Sequence, residues 1–167
     1  MEKNNQIAND VLSVGRVIIG VLKAQLNGEV YEFCANTDFK KIHKLAERHK
    51  VTPLVATSVI ASEYASEDIK KVFKKELFRC AARHTAQDKE AQELSELFIA
   101  SGIKFCFLKG SKISKYYDNP DMRFMLDMDV FIEPSKAEKV KEILENRGYV
   151  YDNYEDEKDA GYVKKPF

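Results

Sequence analysis

The stretch LKGSKISKYYDNPDMRFMLDMDVFI, residues 108–132, decides how the rest of the chain is read. Just before it lies Ile103-Lys104-Phe105-Cys106-Phe107-Leu108, a short run of aromatic and β-branched residues that predicts a strand. Lys109-Gly110-Ser111 predicts a turn, and residues 112–117 a short helix. Asp118-Asn119-Pro120-Asp121 is dense in loop formers. Residues 125–132 predict a second strand, stopped by Pro134.

The alternation in this second strand separates two kinds of residue. Leu126, Met128, Val130 and Ile132 belong to one face, and Asp127, Asp129 and Phe131 to the other. Two residues of strand rise place the aspartate Cα atoms roughly 6–7 Å apart. Their carboxylates can then converge on one divalent cation or bracket two, and magnesium favours such oxygen donors together with phosphate and water. Taken alone, Asp-x-Asp is equally the wet face of an edge strand. The upstream context narrows the choice. Gly110 lets backbone approach a phosphate with no Cβ in the way, and the unpaired amides that open a helix favour anions. Ser111 can cap that helix or donate to a phosphate oxygen. Lys109 and Arg123 flank the pattern. Either could offset triphosphate charge; alternatively Lys109 marks the strand end and Arg123 pairs with Asp121 or Asp127.

In the order strand, Gly-Ser, helix, loop, Asp-x-Asp, the sequence resembles the DNA polymerase beta-like nucleotidyltransferase superfamily. It is most similar there to the branch of uncharacterised bacterial nucleotidyltransferases. The matching text is Phe107-Leu108-Lys109-Gly110, Tyr116-Tyr117-Asp118-Asn119-Pro120, Arg123 and Asp127-Met128-Asp129-Val130-Phe131-Ile132. His49-Lys50-Val51-Thr52-Pro53-Leu54 looks like the junction between two helices of the region that precedes the motif in that branch. The resemblance covers most of the chain from about residue 39. It implies that Lys109, Gly110, Ser111 and Arg123 bind the nucleotide. Asp127 and Asp129 would be both metal ligands and catalytic residues, holding Mg2+ or Mn2+. The reaction would move a nucleoside monophosphate from a nucleoside triphosphate to an acceptor, with a protein or small molecule favoured over nucleic acid. The superfamily supplies a third carboxylate from a later strand, expected beyond Tyr162-Val163, where the sequence stops. Asp152, Asp156 and Asp159 fall in a predicted hairpin and are not assigned that role. The chain therefore reads as a fragment of a longer protein. The alternative is a catalytically silent binding or regulatory module that keeps the fold.

Around this core the expected class is α+β: an N-terminal helical bundle packed on a small mixed β-sheet of nucleotidyltransferase type. Residues 1–101 are read as the helical region and residues 102–167 as the α/β core. Val11, Leu12, Val17, Ile18, Val21, Leu22 and Leu26 mark a first helical stripe, ended by Asn27-Gly28. A second helix over 38–50 buries Phe39, Ile42, Leu45 and Ala46, with Thr37 as its cap. Thr52-Pro53 opens a third, with threonine as cap. A long helix begins at Ser66-Glu67-Asp68 and ends at Gly102, with Ile69, Val72, Phe73, Leu77, Cys80, Ala81, Leu94, Leu97 and Phe98 as its apolar set. Ser135-Lys136-Ala137-Glu138 predicts a capping box for a helix closed by Arg147-Gly148, followed by a strand at Tyr149-Val150-Tyr151. The helical region could also be a partner-binding module in its own right.

Composition sets outer bounds. The chain has 167 residues with 27 Lys+Arg against 27 Asp+Glu, so its net charge is zero and a strongly basic nucleic-acid surface is not indicated. Cys34, Cys80 and Cys106 are odd in number, widely spaced and without Cys-x-x-Cys. That argues against a disulfide framework or zinc site and for buried free thiols in a reducing cytoplasm. His43, His49 and His84 show no metal-ligand spacing, and Tyr116-Tyr117 are expected to pack behind the loop. The polar opening, residues 1–6, does not read as a signal peptide, and no apolar run is long enough to span a membrane.

Overall fold

The computed structural model describes residues 2–152 and 161–164, with side chains described for 12–110, 113–151 and 161–162. Its elements are α1 (Glu2–Leu26), α2 (Phe39–Arg48), α3 (Thr52–Ala61), α4 (Glu67–Ala100), β1 (Phe105–Phe107), α5 (Gly110–Ile113), β2 (Val130–Ile132), α6 (Ala137–Asn146), β3 (Tyr149–Asp152) and β4 (Gly161–Lys164). Single 3-10 turns occupy Ser114–Tyr116, Pro120–Met122 and Pro134–Lys136. The class is α+β. Both sheets are antiparallel pairs, β1 with β2 and β3 with β4, where a mixed sheet was expected.

The chain forms two compact units. The first comprises Met1–Gln87 and Ile113–Asp127, the second Asp88–Lys112 and Met128–Phe167. The reason is visible along α4. Phe73, Cys80, Leu94 and Phe98 are buried at helical spacing, whereas His84 and Gln87 continue the same stripe with polar side chains. One helix thus carries two apolar segments, and each collects its own core.

The core of the first unit gathers Ile18, Val21, Phe33, Phe39, Ile42, Ala46, Val55, Val59 and Phe73. Phe33 meets Phe39 edge-on at 5.1 Å, and His43 meets Phe73 in the same way at 5.2 Å. Leu12 and Leu26 were expected in the α1 stripe but are exposed, as are Val72 and Leu97 of α4. The helix caps also differ from expectation. Asp38, not Thr37, caps α2, its carboxylate accepting from Lys41 N at 3.0 Å. Thr52 is the first residue of α3 and is buried, so Val51 takes the cap position without a side-chain bond. Ser66 caps α4, accepting from Ile69 N at 3.4 Å.

The second unit is built on Leu94, Phe98, Ile103 and Val140, with Phe105, Phe107, Met128, Val130, Ile132, Ile143 and Leu144 packed against them. The expected capping box is not formed. Ser135 lies inside the 3-10 turn, and Lys136 takes the cap position of α6 with no side-chain bond.

Three helices end in the same way. The residue after the cap turns to positive φ, and paired amide bonds close the helix: Gly28 N and Glu29 N return to Gln25 O and Ala24 O, Lys50 N and Val51 N to Glu47 O and Ala46 O, Gly102 N and Ile103 N to Ile99 O and Phe98 O. Gly102 has φ 65° and no heavy atom within 4 Å of where a Cβ would stand. Gly102→Ala is therefore strained by backbone alone. A loss of about 1 kcal/mol is expected in urea unfolding, with the slope unchanged.

Candidate functional site

The site residues read from the sequence divide between the two units: Arg123 and Asp127 in the first, Lys109, Gly110, Ser111 and Asp129 in the second.

In the second unit, β1 and β2 pair Phe105 with Ile132, Cys106 with Phe131 and Phe107 with Val130. Met128, Val130 and Ile132 pack inward, while Phe131 is 65% exposed. The expected alternation therefore holds over 128–132, although Leu126 is exposed rather than buried. The strand is shorter than the sequence suggested. Regular pairing begins at Val130, with one further bond from Leu108 N to Asp129 O at 2.9 Å. Beyond Leu108 the partner chain turns away, because Lys109 adopts φ 46° and α5 begins at Gly110. Residues 124–129 consequently have no regular secondary structure.

That turn brings together the two charged side chains of this half. Lys109 Nζ lies 3.3 Å from Asp129 Oδ2, with the lysine side chain 73% exposed and the aspartate 35%. An ion pair this open to water is worth roughly 1 kcal/mol or less, so an arriving ligand can replace it. The left-handed backbone of a lysine costs about 1–2 kcal/mol. Gly110 opens a helix of one turn, Gly110–Ile113, which continues as the 3-10 turn Ser114–Tyr116 in place of the expected helix over 112–117. The side chain of Ser111 lies outside the described residues.

In the first unit, Asp127 is exposed and has no ion-pair partner among the described residues. Arg123 pairs with neither Asp121 nor Asp127. Its guanidinium stands 5.8 Å from the Tyr117 ring centre and Nη1 donates to Tyr117 Oη at 3.4 Å. Asp121 instead meets His84 Nδ1 at 3.2 Å. Cys80 Sγ lies 3.7 Å from the Arg123 carbonyl oxygen, and burial pushes its thiol up. Of the three cysteines only Cys80 is buried; Cys34 and Cys106 are exposed free thiols, which corrects the expectation that all three are buried. Cys106 is exposed because it shares the outer face of β1–β2 with Phe131. Tyr116 is 87% exposed and packs behind nothing. The spacing of the sequence held no signal for the His84–Asp121 pair, whose members lie 37 positions apart.

Among the described residues no group of three or more His, Cys, Asp or Glu side chains could hold a metal ion, and no helix is long and apolar enough to cross a membrane. Asp156 and Asp159 lie outside the described residues, whereas Asp152 ends β3.

The second unit is also tied by Arg147, whose Nε and Nη2 donate to Glu90 Oε1 at 3.1 and 2.9 Å and whose Nη2 also meets Glu93. Tyr149 follows two residues later, its phenol pushed up to about 12 by burial and then by Glu90.

A family model described as uncharacterised nucleotidyltransferase matches residues 35–166, and the chain belongs to that family. No curated protein and no solved structure matches the chain.

The Tyr149 phenol ionises later in the folded protein than in the unfolded chain. Its contribution to stability is therefore complete below pH 10 and is lost as pH rises from 10 toward 12. Unfolding midpoints measured across that window should fall more steeply for the wild type than for Tyr149→Phe.

Proposed function

We propose that the protein is a metal-dependent nucleotidyltransferase that moves a nucleoside monophosphate from a nucleoside triphosphate to an acceptor hydroxyl or similar group, releasing pyrophosphate. Membership of the family supports nucleotidyl transfer in general. The observation that carries the finer reading is the ion pair of Lys109 with Asp129 at 3.3 Å, at the point where the β1–β2 ladder ends. A cation already sits on the carboxylate that the reading assigns to magnesium.

The donor set suits such a metal. Asp127 and Asp129 offer hard oxygen ligands, both reachable from solvent. Two residues of chain cannot separate their Cα atoms by more than about 7 Å. Magnesium or manganese held there would neutralise charge on the transferring phosphoryl group. The remaining roles fall to the chain. The backbone at Gly110 admits a phosphate close to the main chain, and Ser111 can donate to its oxygen. Lys109, freed from Asp129, supplies a point charge for the triphosphate, and Arg123 supplies a planar fork. The acceptor is a protein or a small molecule, in keeping with a chain whose acids and bases balance.

Two substitutions test this. Asp127→Ala should abolish magnesium-dependent binding of a non-hydrolysable ATP analogue in calorimetry, and unchanged binding sinks the metal assignment. Lys109→Met should do two opposite things: tighten Mn2+ binding in the absence of nucleotide several-fold, because the competing ammonium is gone, and weaken the metal–nucleotide complex about ten-fold. Electron paramagnetic resonance of free Mn2+ reads the first and calorimetry the second.

A further inference from the structure

Acid and base balance in this chain, and several neighbouring charges answer one another locally: Lys41 with Asp38, Lys70 with Glu67, Lys71 with Asp68, Arg79 with Glu76, Lys139 with Glu142. In the first unit, three other cations lie beside aromatic rings instead. Lys50 Nζ stands 5.7 Å and Arg83 Cζ 4.8 Å from the centre of the same ring, Phe124. The next residue back, Arg123, adds a third cation, over Tyr117. None of the three has a carboxylate partner among the described residues. Asp121, one of two aspartates in the same loop, is engaged by His84. Arg123 Nε is buried with no hydrogen-bond acceptor among the described residues.

Part of this arrangement costs free energy. A cation over a ring gains about 0.5–1 kcal/mol at an open site but keeps its full charge, so gathering cations at one aromatic centre remains repulsive. A buried, unsatisfied donor costs about 1–3 kcal/mol, and more when charged. Lys50 adds backbone strain, with φ 58° at a helix end where the chain elsewhere places Gly28, Gly102 and Gly148. Glycine would be cheaper there; lysine keeps an ammonium over Phe124.

We propose that Lys50 and Arg83 at the Phe124 ring, with Arg123 from the preceding position over Tyr117, form an anion site that takes a phosphate-type group of multiple charge. Two guanidinium forks and an ammonium match phosphate oxygens better than a single carboxylate, and the ring offers an apolar floor for a flat substituent. The assignment of phosphate rests on the nucleotidyl-transfer reading; the anion site itself does not. The group comes either from the nucleoside triphosphate or from a phosphorylated acceptor.

The test uses inorganic pyrophosphate as probe, titrated calorimetrically in EDTA so that no metal contributes. Wild type should bind, and Lys50→Glu, at an exposed position, should weaken binding at least ten-fold. Arg83→Lys, which keeps the charge, should lose less than Arg83→Met. Absence of pyrophosphate binding in wild type, or equal binding by Lys50→Glu, overturns the site. Competition by metal-free ATP assigns the group to the nucleotide, and simultaneous binding assigns it to the acceptor; both support the site. Should magnesium-dependent ATP binding fail while pyrophosphate still binds without metal, the nucleotidyl-transfer reading falls and the anion site stands.

Discussion

Burial of Phe105, Phe107, Met128, Val130 and Ile132 against Leu94, Phe98 and Val140 fixes the register of β1 on β2, and the chemistry of the second unit follows from that register. A shift of one residue would turn Val130 and Ile132 to solvent and Phe131 inward. Each large side chain involved is worth about 1.5–3 kcal/mol when fully buried, so slippage costs far more than any surface ion pair can return. The bond from Leu108 N to Asp129 O is the last step of that ladder, and it sets Asp129 beside the turn at Lys109. The polar contact is a consequence of the apolar one.

The same logic explains why the compact units do not follow the chain in simple succession. α4 is a single helix of 34 residues with two separate apolar segments. Phe73 serves one core, Leu94 and Phe98 the other, and His84 and Gln87 lie between them on the same stripe. Residues 113–127 then return to the first unit, so the two candidate aspartates close one unit and open the next. The change in periodicity at Gly102 marks the end of the helix, and the change of partner lies within it.

Backbone strain is concentrated in two lysines. Among the described residues, Lys50 and Lys109 are the non-glycine positions with positive φ. Both sit where a helix or strand ends in a tight turn, and both carry an ammonium that meets something specific: the Phe124 ring in one case, Asp129 in the other. Strain of this kind persists where the surrounding structure over-determines it, and it collects at functional positions.

The sequence by itself determined the α+β class, the order of the elements, the helix stops at Gly28, Gly102 and Gly148, and the inward and outward alternation of 128–132. These follow from periodicity and backbone permissiveness, which are local properties. Its resemblance to nucleotidyltransferases is borne out by the family match at the level of nucleotidyl transfer. Local pattern misjudged the caps at Thr37, Thr52 and Ser135, because several nearby residues could compete for the same amides and geometry chose among them. It also overran the strand, since nothing in residues 125–129 shows that the partner strand has already turned away at Lys109. Only the tertiary structure decided which charges meet. Lys109 with Asp129, Asp121 with His84, and Lys50 and Arg83 with Phe124 join residues 20 to 74 positions apart, and distance in sequence carries no information about such pairs until the cores that bring them together have formed.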